Sequence, residues 1–132
     1  MLQGQGQTDT EPGRAAQRVA LDDARLLARI SGGDLRAFEA LYRTYHPRLT
    51  RFLMTLLGRP PLVEEVLNDT MLVVWKRPEG FNGASKVSTW IFAIAYRTAL
   101  KARARQDEAV EDRQAEFRIS AEPGPKQELS RT

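Results

Sequence analysis

Arg97, Lys101 and Arg105 follow one another at intervals of four residues. On a helix that spacing sets three cations in a row about 12 Å long at roughly 1.5 Å per residue, a ladder suited to nucleic-acid phosphates. Just upstream stands Phe81-Asn82-Gly83-Ala84-Ser85, followed by Lys86. An aromatic ring among small hydrogen-bonding residues suits a base drawn out of its stack, so the two features together point to single-stranded DNA. From Lys76 to Arg105 there are seven basic residues against one acid, Glu79, whereas residues 1–75 balance nine Arg with nine acids and residues 107–132 hold seven acids and four bases. The positive stretch is therefore a local feature that the net charge of +3 conceals.

Other chemistries have little to build on. His46 is the only histidine and there is no cysteine, so thiol nucleophiles, thiolate metal sites and disulfides are excluded. Beside Pro47, His46 reads as a capping or surface residue. Glu64, Glu65 and Asp69 lack a partner cluster that would complete a metal site, and the glycines at 80 and 83 lack the Gly-Lys-Ser/Thr that makes a phosphate loop. The expectation is a binding protein, not an enzyme, with no cofactor and no metal. The absence of cysteine and of any apolar run of roughly 20 residues points to a cytoplasmic protein without a membrane span.

These residues need elements to position them, and the periodicity is helical throughout. Residues 1–20 are polar and without apolar period, and read as a mobile N-terminal tail. Leu21, Leu26, Leu27 and Ile30 then mark a short helix, with Asp22 or Asp23 as its start and Gly32-Gly33 as its stop. Asp34 is placed to cap a second helix carrying Leu35, Phe38, Leu41, Tyr42 and Tyr45. Pro47 predicts a break at His46 and a new helix over 47–57, burying Leu49, Phe52, Leu53 and Leu56. After Gly58-Arg59-Pro60-Pro61 comes a helix over 62–76 with Val63, Val66, Leu67, Met71, Val74 and Trp75 inward. Residues 78–85 read as a loop with an exposed aromatic. A last helix over 85–106 buries Val87, Trp90, Ile91, Ile94 and Ala95 and turns its cations outward. The fold class is all-α, a compact bundle of four to five helices.

Three stretches in this order resemble the region-2 domain of sigma-70-type factors of the extracytoplasmic-function group. Glu64-Glu65-Val66-Leu67-Asn68-Asp69, followed by an apolar run to Trp75, is similar to that family's acidic helix ending in Trp. Phe81-Asn82-Gly83-Ala84-Ser85 and Ser88-Thr89-Trp90-Ile91 resemble its Phe-x-Gly-x-Ser loop and Ser-Thr-Trp helix. The stretch from Gly33 to Tyr42 resembles its opening helix. Asn68 replaces the family's usual Gln, and Arg97 stands where Asn is common, which leaves base preference open between a phosphate clamp and direct contact with guanine.

The resemblance implies a transcription initiation factor that binds core RNA polymerase and opens the promoter minus-10 element by capturing non-template-strand bases. Glu65, Asn68, Asp69 and Leu72 would meet the coiled coil of the polymerase's largest subunit. Phe81, Asn82, Gly83, Ala84, Ser85 and Lys86 would line the pocket for a flipped base, with Lys76, Arg97, Lys101 and Arg105 on the backbone. Residues 21–106 then form sigma region 2 and residues 107–132 resemble the acidic interdomain linker, with the minus-35-reading region 4 absent. An anti-sigma factor is an expected further partner. The alternative is a sigma-like protein-interaction module, sequestered by an anti-sigma factor and without DNA binding of its own.

Overall fold

The computed structural model describes residues 11–121, with the side chains of 13–118 among them. Four helices occur there: α1 (Glu11–Ser31), α2 (Leu35–Leu57), α3 (Pro60–Lys76) and α4 (Val87–Ala121), with a 3-10 turn at Pro78–Gly80 between the last two. No strand is present among the described residues, so the fold is all-α as expected. α3 packs on both α2 and α4, while α1 lies along α2 and reaches α4 and the 3-10 turn.

The core follows the apolar spacing. α2 buries Ala37, Leu41, Tyr45, Leu49 and Leu53, one residue per helical turn, and α3 buries Val63, Val66, Leu67, Thr70, Met71 and Val74. α4 adds Val87, Ile91, Ile94, Ala95, Ala99 and Ala102. Each large aliphatic side chain removed from water contributes roughly 1.5–3 kcal/mol to holding these helices together. Thr70 enters the core because its hydroxyl donates to the Val66 carbonyl at 2.8 Å, which leaves no polar atom unsatisfied.

The ends of α1 and α2 have local causes. Gly33, at φ 86°, takes the left-handed turn that closes α1, and its N–H donates to the Ile30 carbonyl. Asp34 caps α2 as expected, accepting from the backbone N–H groups of Arg36 and Ala37 at 3.0 and 3.2 Å. Those bonds, that to Ala37 foremost, together with the Arg29 guanidinium, hold its carboxyl below the usual range. Gly58, at φ 70°, closes α2, and Pro60 suits the first turn of α3, which begins two residues before the expected Leu62.

The bounds of α1, α2 and α4 also depart from the sequence reading. α2 runs unbroken through Pro47, where a break was expected at His46. Both Pro47 and Arg43 are exposed, so the Arg43 carbonyl that loses its helical donor faces water, while Tyr45 and Leu49 on either side anchor the helix in the core. α1 begins at Glu11, so residues 11–20 of the expected tail are helical; residues 1–10 lie outside the described residues. The stretch Arg14-Ala15-Ala16-Gln17-Arg18 is rich in strong helix formers yet largely exposed, which is why no apolar period announced it. α4 starts at Val87, not Ser85, and continues past Gln106 to Ala121 for the same reason. Residues 111–118 are exposed throughout, so this end of α4 stands away from the core.

Candidate nucleic-acid interface

The Lys76 end of α3, the 3-10 turn and the start of α4 bring the predicted loop together. Asn82 Oδ1 accepts the Ala84 N–H at 2.9 Å, Gly83 takes φ 82°, and the Ser85 hydroxyl donates to the Lys86 carbonyl at 3.2 Å. This tight turn leaves Asn82, Gly83, Ala84, Ser85 and Lys86 exposed. Phe81 behaves differently from the exposed aromatic expected. It is half-buried, its ring 5.6 Å from that of Trp90 at 56°, beside a hollow walled by Ala24, Leu27 and Ala28 of α1. Gly80 lies beside the Trp90 ring, where an added side-chain carbon would stand at an ordinary contact distance of 3.5 Å. The aromatic pair is thus the floor of the loop and the small polar residues are its surface.

The cations divide. Lys76, Arg97 and Lys101 are exposed, without an ion pair among the described residues. Arg105 turns toward α3, where its guanidinium lies 3.6 Å from Glu65. Arg103 also points away from the row and donates to the Leu56 carbonyl at 3.3 Å, near the C-terminal end of α2. The expected row of three therefore splits into two free cations and one engaged with a residue of the other predicted surface.

That other surface is a continuous face of α3, on which Glu65, Asn68, Asp69 and Leu72 are all exposed. Asn68 accepts a hydrogen bond from the Tyr42 hydroxyl at 3.3 Å. Leu72, 49% exposed, shares an apolar hollow of about 210 Å³ with Leu35, Phe38, Tyr42, Met71 and Trp75. Of the apolar positions read at helical spacing on this helix, Leu35 is exposed, while Phe38 and Tyr42 are half-buried against the core and form the wall of an open hollow, with Phe38 edge-on to Trp75 at 5.3 Å.

One polar cluster escaped the sequence reading. Asp23, taken there as a possible helix start, is buried in the middle of α1 and accepts a hydrogen bond from the Tyr45 hydroxyl. Burial raises the Asp23 carboxyl, against the lowering effects of the Tyr45 bond and of Arg48. Burial and then the Asp23 partner push Tyr45 up to about 12. The Arg48 guanidinium lies over the Tyr45 ring at 4.8 Å and the Phe92 ring at 5.5 Å. The signal was present in outline: Asp23 precedes Leu27 by four residues, which puts a carboxylate on the buried face of α1.

Among the described residues no group of acidic or histidine side chains could hold a metal, and no helix is long and apolar enough to cross a membrane. Residues 41–109, which hold the loop, the α3 face and the packed part of α4, match the model of the family described as sigma-70 region 2. The chain belongs to the sigma-70 region 2 family. Curated relatives of this sigma-70 domain are named for the extracytoplasmic-function group. One is the ECF RNA polymerase sigma factor SigK of Mycolicibacterium vanbaalenii, 29% identical over 114 residues, covering 83% of this chain and 58% of the relative. The ECF RNA polymerase sigma-E factor of Haemophilus influenzae is 29% identical over 79 residues, covering 60% and 41%. SigG of Mycobacterium tuberculosis is 32% identical over 103 residues, covering 74% and 28%. The chain thus spans between about a quarter and three fifths of the length of these sigma factors. No solved structure matches.

Proposed function

We propose that this chain is a transcription-initiation domain that binds core RNA polymerase and stabilises an opened minus-10 element by holding bases of the non-template strand. The observation that carries this reading is the match of residues 41–109 to sigma-70 region 2, which spans both the exposed loop and the α3 face. In it, residues 82–86 receive a base above the Phe81–Trp90 pair, while Lys76, Lys86, Arg97 and Lys101 hold phosphates. Glu65, Asn68, Asp69 and Leu72 meet the polymerase's largest subunit, where the apolar hollow beside Leu72 offers desolvation and the acids offer charge complementarity. Arg105 joins the phosphate contacts only on leaving Glu65. Residues 107–132 serve as the linker, helical as far as Ala121. Strand opening is then differential binding: each base stacked on the protein contributes on the order of 1–3 kcal/mol to the melted state over the duplex.

The test is fluorescence anisotropy with single-stranded oligonucleotides carrying a randomised central segment, against the same sequences as duplex, over a salt series. The reading expects preference for single strands, enrichment of one short motif, and loss of that motif preference in an Asn82→Ala variant. An Arg97→Gln variant should keep the motif preference but flatten the salt dependence by about 0.7 in logarithmic slope, the value for one single-strand phosphate. Binding indifferent to sequence and to Asn82 would reduce the interface to a basic surface. No binding, even with core polymerase present, would overturn the DNA-reading role and favour sequestration by a protein partner.

A further inference from the structure

The Phe81–Trp90 pair is not a flat floor. Its rings meet at 56° with their centres 5.6 Å apart, so a base can lie flat on one of them but not on both. Trp90 is fixed in the first turn of α4, where its N–H donates to the Lys86 carbonyl at 3.1 Å and its neighbours Val87 and Ile91 are buried. Phe81 belongs to the connection, just past the 3-10 turn, on extended backbone at φ −82° and ψ 118°. It also lines the hollow against α1, about 200 Å³, which Pro78 and Glu79 border on the loop side. A cavity of roughly 150 Å³ accepts a benzene ring, so this one has room for the Phe81 side chain.

The opposite wall does not belong to the loop. Leu27 and Ile30 are buried in the core and Asp23 accepts a hydrogen bond from the Tyr45 hydroxyl, which fastens α1 to the bundle. Ala24 and Ala28, one helical turn apart, are exposed and present only methyl groups to the hollow. Their small size is what leaves it open. Both precede residues 41–109, so this wall lies outside the stretch matched to the family.

We propose that Ala24 and Ala28 are positioning residues for base capture: they keep open the space into which the Phe81 ring turns away from Trp90 when a base seats on the loop. The base then meets a single flat ring, and the depth to which Phe81 withdraws sets the size of base that fits. A purine needs more of that room than a pyrimidine. The inference rests on the base-capture reading above and deepens it by giving α1 control of base size.

The experiment uses the full chain and the selected single-stranded motif with each of the four bases in turn at its most selective position, beside a scrambled strand and over a salt series. Ala24→Leu and Ala28→Leu fill the hollow with a good helix former. Each should weaken binding about tenfold with a purine at that position and about twofold with a pyrimidine, the range expected for overfilling an apolar pocket. Affinity for the scrambled strand and the logarithmic salt slope, both set by the cations, should stay as in the wild type. Ala28→Ser, close in size, should bind as the wild type does, and so should Ala15→Leu, on an exposed part of α1 that does not line the hollow. Thermal melts of each variant separate a lost fold from a filled hollow. If the folded leucine variants discriminate bases as the wild type does, or lose the scrambled strand to the same degree, or if Ala15→Leu loses as much as they do, the positioning role is overturned. A wild type with no preference for the motif would overturn the base-capture reading instead.

Discussion

The Asp23–Tyr45 pair gives a single hydrogen bond consequences for how stability varies with pH. Both groups are shifted upward by burial, so the folded chain holds their protons more tightly than the unfolded one. The Asp23 contribution is therefore largest below its ordinary value of 3.8 and falls as pH rises through the raised one. For Tyr45 the contribution is intact below about 10 and falls as pH climbs toward 12. Urea unfolding across pH should show the alkaline decline in the wild type and lose it in Tyr45→Phe. At neutral pH that variant should be less stable by about 1–3 kcal/mol, because the buried carboxylate loses its donor. Asp23→Asn keeps an acceptor for the hydroxyl, and its stability relative to wild type should rise as pH increases from 4 to 7. A variant that tracks the wild type across the whole range would show that the pair does not titrate as the geometry requires.

At the level of the helices, Pro47 works against the element that contains it. Replacing it with Ala supplies the missing N–H to the Arg43 carbonyl at an exposed position, so Pro47→Ala should stabilise the chain by about 1–3 kcal/mol in denaturant melts. No gain would mean that α2 is already relieved by a local bend. The same element shows what the sequence could and could not reveal. Asp34, Gly33 and Gly58 were readable as cap and stops because their chemistry is local, and α3 was readable because its apolar spacing reports the core directly. The continuity of α2 was not, because whether Pro47 breaks a helix depends on which way its face points in the assembled bundle. The exposed parts of α1 and α4 stayed hidden since propensity alone, without burial, leaves no periodic mark. For the site, residue types located the loop and the α3 face, but spacing could not foretell that Phe81 turns inward onto Trp90 or that Arg105 reaches Glu65. Both outcomes depend on neighbours distant in sequence.

Across the whole molecule, the core ends well before the last helix does. Among the residues of α4 whose side chains are described, Ala102 is the last buried one, and beyond it only Gln106, Ala109 and Val110 are even half-covered. Removing residues 111–132 should therefore change the unfolding free energy by no more than about 0.5 kcal/mol, as for surface changes that touch no packed group. In hydrogen exchange, amides of 111–118 should lose protection long before those of 91–102, whose opening requires the bundle to come apart. A large loss of stability on truncation would show instead that the distal helix packs on the body in solution. The distal part is also a lever arm. The nineteen residues of helix after Ala102, as far as Ala121, extend about 28 Å at roughly 1.5 Å per residue, so a tilt of about 10° where α4 leaves the body sweeps its tip through about 5 Å. Small adjustments in how α4 seats on α3 are thereby converted into displacements large enough to decide what the far end can reach.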